Sequence, residues 1–213
     1  MTSAPGRWAW RDAGGIATLA QWLLYAEAAS CTATVALAST KSFDPGAFGG
    51  VEALLWLVEF LVWIAAVIAV LRWIYLANGN AHAIGAEDMM VSPGWSVGWF
   101  FVPLANLVMP FIAMRELWKA SANPKDWQAE SASVTIAIWW GFWLAASLPG
   151  AISFQAGMDP AKEAGTIAEA AYLASQLLSI PAALLLASIV GKVQAMQSRF
   201  VPGSAEALKD RFA

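Results

Sequence analysis

Residues 92–118 read SPGWSVGWFFVPLANLVMPFIAMRELW, and how this stretch meets a membrane decides the fold around it. It opens as a helix should. Ser92 stands where a cap belongs, and Pro93 falls in the first turn, where its missing N–H costs nothing. Farther in lie Pro103 and Pro110, with Asn106 between them. Each proline removes a helical hydrogen bond and clashes with the carbonyl four residues earlier, here on Trp99 and Asn106. A broken helix at membrane depth is tolerated only where protein or water satisfies the freed groups. The apolar part, Trp95 to Met114, therefore either spans with kinks or dips in and returns.

Composition supplies the membrane. Hydrophobic residues make up 59% of the chain and charged residues 13%, against about 25% charged in an ordinary soluble domain. Such a surface in water would expose large apolar patches. Besides the proline-broken stretch, four runs reach the length of about 20 residues that a hydrocarbon core requires: 15–39, 51–76, 133–154 and 167–190. Breakers separate them, namely Asp44-Pro45-Gly46, Asn78-Gly79-Asn80, Asn123-Pro124 and Asp159-Pro160. The first run follows Arg7 and Arg11 and contains Ala36-Leu37-Ala38, as a cleaved signal would. Its length and the Glu27 in its middle favour a retained span. The expected fold is an all-α integral membrane protein with a single membrane domain over 1–213. Four transmembrane helices are joined there by a re-entrant or kinked fifth segment, 93–118, and a cytoplasmic tail, 191–213.

Charge placement chooses between the two topologies. If Trp95 to Met114 does not cross, ten of the twelve lysines and arginines share one side, all but Lys41 and Lys162. If it crosses, Arg7, Arg11, Arg72 and Lys162 oppose the other eight. Lysine and arginine in short loops stay cytoplasmic. The more asymmetric arrangement is therefore expected, with both termini in the cytoplasm and the broken segment re-entrant or interfacial on that side.

Several classes of function are excluded or disfavoured. A net charge of -3, spread along the chain, provides no nucleic-acid groove. One cysteine, Cys31, cannot form an internal disulfide or a multi-cysteine metal site. One histidine, His82, cannot supply a bis-histidine haem within the chain and reads as a solvated loop residue. No phosphate-binding loop is present, and no catalytic triad is suggested. Of the thirteen tryptophans, Trp22, Trp73, Trp95, Trp99, Trp118, Trp139 and Trp140 sit near run ends, where aromatic belts form, whereas Trp56 and Trp63 read as core.

From Arg72 to Ser121 the chain resembles the bacterial membrane proteins grouped as domain of unknown function 4328. The resemblance is carried by Arg72-Trp73, NGNAHAIG at 78–85, Ser92 to Trp95, Val97-Gly98-Trp99 and Phe101-Val102-Pro103. It continues through Asn106, Pro110 and Met114 to Trp118. It implies a multi-pass protein of the bacterial inner membrane with a proline-broken segment, and it implies no activity.

The residues most open to a functional reading are carboxylates within apolar runs. A charge at mid-bilayer costs about 3 kcal/mol and normally faces the bundle interior or water. Glu27 shares a helix face with Ser30, Cys31 and Thr34. At 1.5 Å per residue, Glu59, Gln176 and Glu27 sit roughly 12, 14 and 18 Å from the outer ends of their spans. If those helices are neighbours, the three form one polar cluster, either a proton or cation site or a structural hydrogen-bond set. The second candidate is a surface for lipid or a partner on the broken segment: Pro93, Trp95, Trp99, Pro103, Asn106, Pro110, Arg115, Glu116 and Trp118. Arg115, Glu116, Trp118 and Lys119 read as an interfacial helix end. The expectation is a non-enzymatic scaffold, accessory or regulatory membrane component without cofactor. Its partners would be lipids, other membrane proteins or further copies of the chain. The alternative is a small proton- or cation-coupled transporter.

Overall fold

A computed structural model describes residues 8–39, 51–157 and 166–201, apart from the side chains of residues 51–53, 55, 56, 157 and 166. The breakers Asp44-Pro45-Gly46 and Asp159-Pro160, and the tail beyond 201, lie outside them. Among the described residues every regular element is helical. The helices are α1 (Gly14–Ser39), α2 (Val51–Ala83), α3 (Pro93–Gly98), α4 (Met109–Ala122), α5 (Val134–Gly157) and α6 (Thr166–Gln197). Three stretches are long and apolar enough to cross a membrane: Leu57–Ala83, Val134–Ala156 and Ile167–Phe200. Helix α1 has the length, at 26 residues, but Gln21, Glu27, Ser30, Thr32 and Thr34 dilute its apolar character.

Contacts divide the chain into two compact units. The first comprises Met1–Gln21, Ile68–Ala137 and Ser188–Ala213, and the second Trp22–Val67 and Ile138–Ala187. In the first, Ala13 just before α1 and Ala17 and Ala20 within it are buried, as are Trp73, Ile74 and Ala77 of α2, Met114 and Leu117 of α4, and Ile189 and Val193 of α6. In the second, Leu24, Ala28, Cys31, Ala66, Trp139 and Leu186 are buried, while Phe60, Leu61 and Leu57 stay more than half exposed, as lipid-facing side chains do.

Helix α2 runs through the breaker at 78–80. Asn78 and Asn80 are buried rather than at a turn. Asparagine and glycine weaken a helix by up to about 1 kcal/mol each, and tertiary bonds outweigh that. The Asn80 carboxamide accepts from the Arg11 N–H at 2.9 Å and donates to the Arg11 carbonyl at 2.8 Å. The helix stops instead at Gly85, whose φ of +106° suits a residue without Cβ. There Gly85 N–H reaches the His82 carbonyl at 3.2 Å and Ala86 N–H reaches that of Ala81 at 3.1 Å, a Schellman closure. His82 is thus helical and half-buried, with Trp8 stacked on it at 6.0 Å, and is not a solvated loop residue.

The tail expected from residue 191 also begins later. Helix α6 continues to Gln197, because Val193 and Gln197 are fully buried and hold its last turns in the first unit. Pro149 in α5 and Pro181 in α6 are absorbed within long helices. Near the first, the Ala146 carbonyl accepts from Ser175 Oγ at 3.0 Å, a neighbouring helix supplying the donor. The helices approach closely there: a Cβ on Gly150 would lie 3.0 Å from that hydroxyl oxygen.

Several tryptophans depart from the belt reading. Trp73, Trp139 and Trp140 are buried, at 0%, 2% and 5% exposure, whereas Trp63 is half exposed. Trp22 and Trp95 are exposed as expected. Hydropathy locates the ends of a run; which face of the helix is covered depends on its neighbours.

Candidate functional site

The quoted stretch folds as a broken helical hairpin within the first unit. Helix α3 starts with Pro93 in its first turn after Ser92, but the Ser92 side chain makes no capping bond. The Ser92 carbonyl instead receives Ser96 N–H at 2.8 Å, and Ser96 Oγ donates to the Pro93 carbonyl at 2.7 Å. After Gly98 come two single helical turns, Trp99–Phe101 and Ala105–Leu107, before α4 begins with Pro110 in its first turn. The prolines sit where their missing donors are tolerated.

The backbone around the tip is satisfied locally. The N–H groups of Ala105, Asn106, Leu107 and Val108 reach the carbonyls of Pro103, Val102, Leu104 and Ala105 at 2.8–3.2 Å. Such closure is what hydrocarbon demands of irregular backbone. The side chains outside are apolar and uncovered: Leu104 is 81% exposed, Phe101 70%, Val108 53% and Leu107 47%. Leu104 takes a left-handed φ of +64°, a strained conformation for a branched side chain.

The candidate residues of this segment therefore separate. Trp95 is exposed and lies 4.5 Å from the half-buried ring of Trp99. Pro103 and Arg115 are exposed, Asn106 and Trp118 half-buried, and Pro93 and Pro110 buried. Arg115 holds its guanidinium 5.4 Å over the Phe111 ring. Glu116 corrects the reading of an interfacial helix end, being only 5% exposed. Its two carboxylate oxygens accept the consecutive N–H groups of Met90 at 2.5 Å and Val91 at 3.0 Å. An ionised acceptor makes the stronger kind of hydrogen bond, about 1.5–3 kcal/mol each. Glu116 thus ties α4 to the strap of chain before α3. Burial pushes its carboxyl above the ordinary range, and the two N–H donors and then Lys119 pull it back.

Other polar side chains close the first unit. Gln197 Nε2 donates to the Ala77 carbonyl at 2.8 Å and to Ser121 Oγ at 3.0 Å, and Trp127 Nε1 donates to the Glu87 carbonyl at 2.8 Å. Asn78 contrasts with them. It is fully buried, and neither atom of its carboxamide has a hydrogen-bond partner.

The second unit holds the other candidate set. Cys31 Sγ lies 4.0 Å from Glu27 Oε1 and 3.6 Å from Gln176 Oε1. Gln176 Nε2 donates to Glu59 Oε1 at 2.5 Å and to Tyr172 Oη at 3.1 Å, and Tyr172 Oη reaches Glu59 Oε2 at 3.4 Å. Glu27, Glu59 and Gln176 thus join one network drawn from α1, α2 and α6, with the buried Cys31 thiol as a link. Glu27 Oε2 is buried without a partner. Ser30 turns away, its hydroxyl donating to the Glu27 carbonyl at 3.0 Å. Tyr172 was not singled out in the sequence, although its place four residues before Gln176 puts it on the same helix face. Among the described residues no group of three or more His, Cys, Asp or Glu side chains is arranged to hold a metal ion.

Long apolar helices, buried polar contacts between them and a proline-broken apolar hairpin define an α-helical membrane protein. Its sequence matches the family model for a domain of unknown function (DUF4328) over residues 33–195, most of the chain, and the chain belongs to that family. No curated protein and no solved structure matches it.

Proposed function

We propose that this chain is a non-enzymatic component of the bacterial inner membrane, a scaffold or accessory and regulatory subunit that uses its proline-broken hairpin as a docking surface. In this reading α1, α2, α5 and α6 all span, both termini are cytoplasmic, and the segment 93–118 re-enters from the cytoplasmic side. The observation that carries it is the uncovered apolar tip at Phe101, Leu104, Leu107 and Val108, set on locally closed backbone and braced by Glu116. A tip of this kind suits lipid or an apolar partner surface, not water.

The test has two parts. Single cysteines (Lys125→Cys, Lys162→Cys and Ala105→Cys) in a Cys31→Ser background report sidedness in whole cells. Lys125→Cys is expected to label only from the cytoplasm and Lys162→Cys only from outside; labelling of both from one side overturns the topology. A benzophenone amino acid in place of Leu104, photolysed in native membranes, is expected to yield a discrete protein adduct. Lipid adducts alone overturn the docking role.

A second reading, a small proton- or cation-coupled transporter, is supported by the network of Glu27, Cys31, Gln176, Glu59 and Tyr172. Paired carboxylates in a low dielectric cannot both ionise cheaply. Proteoliposomes with an internal pH dye separate the readings. Proton flux that is lost in Glu59→Gln supports transport, and flux indistinguishable from empty liposomes removes it.

A further inference from the structure

The first unit contains buried polar atoms that its own hydrogen bonds leave unused. Trp73 Nε1, both carboxamide atoms of Asn78, His82 Nε2 and a side-chain oxygen on each of Gln194 and Gln197 are buried without partners. Two of these residues form a defined pair. Asn78 and His82 are four apart on α2, so their side chains project from the same face with Cβ atoms about 6 Å apart. The backbone of Val91 and Ala86 lies against the imidazole, and Trp8 stacks on it. Pro93 packs on the next residue of α2, since a Cβ on Gly79 would meet its ring at 3.8 Å. The chain from Ala86 to Pro93 therefore lies along this end of α2, over His82, and the Glu116 carboxylate holds it there through Met90 and Val91.

We propose that Asn78 and His82 form a binding site for an internal water molecule, which bridges the Asn78 carboxamide and His82 Nε2 beneath the 86–93 strap. Asn78 is 0% exposed, and a carboxamide shut away from solvent keeps its place in a folded protein when something small meets its donor and acceptor. The Asn78 carboxamide and His82 Nε2 do not bond to each other directly, since each is without a partner, and a single water bridges two polar groups that do not meet. Water also fits the mixed demand, because it both accepts from Nδ2 and donates to Oδ1 or to an unprotonated Nε2. The site gives the sequence NGN a division of labour. Asn80 ties down the chain at Arg11, Gly79 carries Pro93, and Asn78 holds the guest.

The test uses the full chain in detergent, with the variants Asn78→Leu and His82→Phe and their combination. Each substitution keeps bulk and removes the hydrogen-bonding atoms. Each single variant is expected to lower Tm, and the double variant to lower it by clearly less than the sum, because the first change already releases the shared water. Infrared difference spectra recorded on exchange into heavy-oxygen water are expected to show an internal O–H stretch that vanishes in both single variants. The proposal is overturned if Asn78→Leu raises Tm, as removal of a dry, unpaired amide would. It is equally overturned if the two effects add, or if the infrared band is absent from the native chain or persists in the variants. Where Asn78→Leu does not fold, His82→Phe alone decides through the infrared band.

Discussion

Each of the two units shuts carboxylate oxygen away from solvent, in the buried Glu116 and the half-buried Glu27, and the two are treated in opposite ways. Glu116 in the first unit has both oxygens engaged by consecutive backbone N–H groups, which fixes its geometry and orders the strap before α3. Glu27 in the second has one oxygen without a partner and the other facing only a thiol 4.0 Å away. Backbone amides cannot leave, so a carboxylate bound to them is a structural rivet. A carboxylate touched only by side chains can exchange its partners, and in the second unit those partners lead through Gln176 to a second carboxylate. The difference separates a brace from a group free to respond.

The sharpest way to break this comparison is Glu116→Ala. It strands two backbone donors and should cost about 3–5 kcal/mol, given about 1.5–3 kcal/mol for each charge-assisted bond. A thermal denaturation scan showing a shift no larger than that of an exposed control would remove the rivet. Asn80→Ala comes next. Loss of its paired bonds to Arg11 should cost about 2 kcal/mol, read in the same scan together with faster amide exchange at Arg11.

In the second unit, Gln176→Leu should cost about 1–2 kcal/mol by leaving Glu59 without its carboxamide donor. Glu27→Gln should change stability by less than about 1 kcal/mol, or raise it, because a mid-bilayer carboxylate gives way there to a neutral amide. A large loss from Glu27→Gln would make that carboxylate structural too and erase the contrast.

The smallest effect is a pH dependence. The Glu116 carboxyl is held above its ordinary value of 4.5, so the folded state binds the proton more tightly than the unfolded chain. The proton-linked part of its contribution to stability is full below that ordinary value and is lost as pH rises through the higher folded value, while the two N–H bonds remain. Tm of the native chain should therefore fall relative to Glu116→Gln across that window, and parallel curves would contradict it.

Legibility from the sequence followed the range of the interaction. Pro103 and Pro110 act on their own turns of backbone, so the break between α3 and α4 could be read directly. The meeting of Glu27, Glu59 and Gln176 was legible as depth along three helices, because rise per residue converts position into height; whether those helices touch was not. The NGN stretch misled for the opposite reason. Its turn chemistry is local and weak, and Arg11, 69 positions away, supplies two bonds that keep it helical. Trp73 and Glu116 misled likewise, since belt and anchor readings consider a residue and the end of its run, not the neighbour that covers it.

The sequence by itself determined that the chain is helical, apolar enough for lipid and broken around Pro103 and Pro110. Those features depend on solvent transfer and local sterics, which each segment carries alone. Which polar groups are braced, which are linked across helices and which are left with unused hydrogen-bonding capacity was decided only by the tertiary structure. A buried hydrogen bond needs two atoms within about 3 Å, and residues as distant in sequence as Arg11 and Asn80, or Glu59 and Gln176, reach that separation only when the helices have packed.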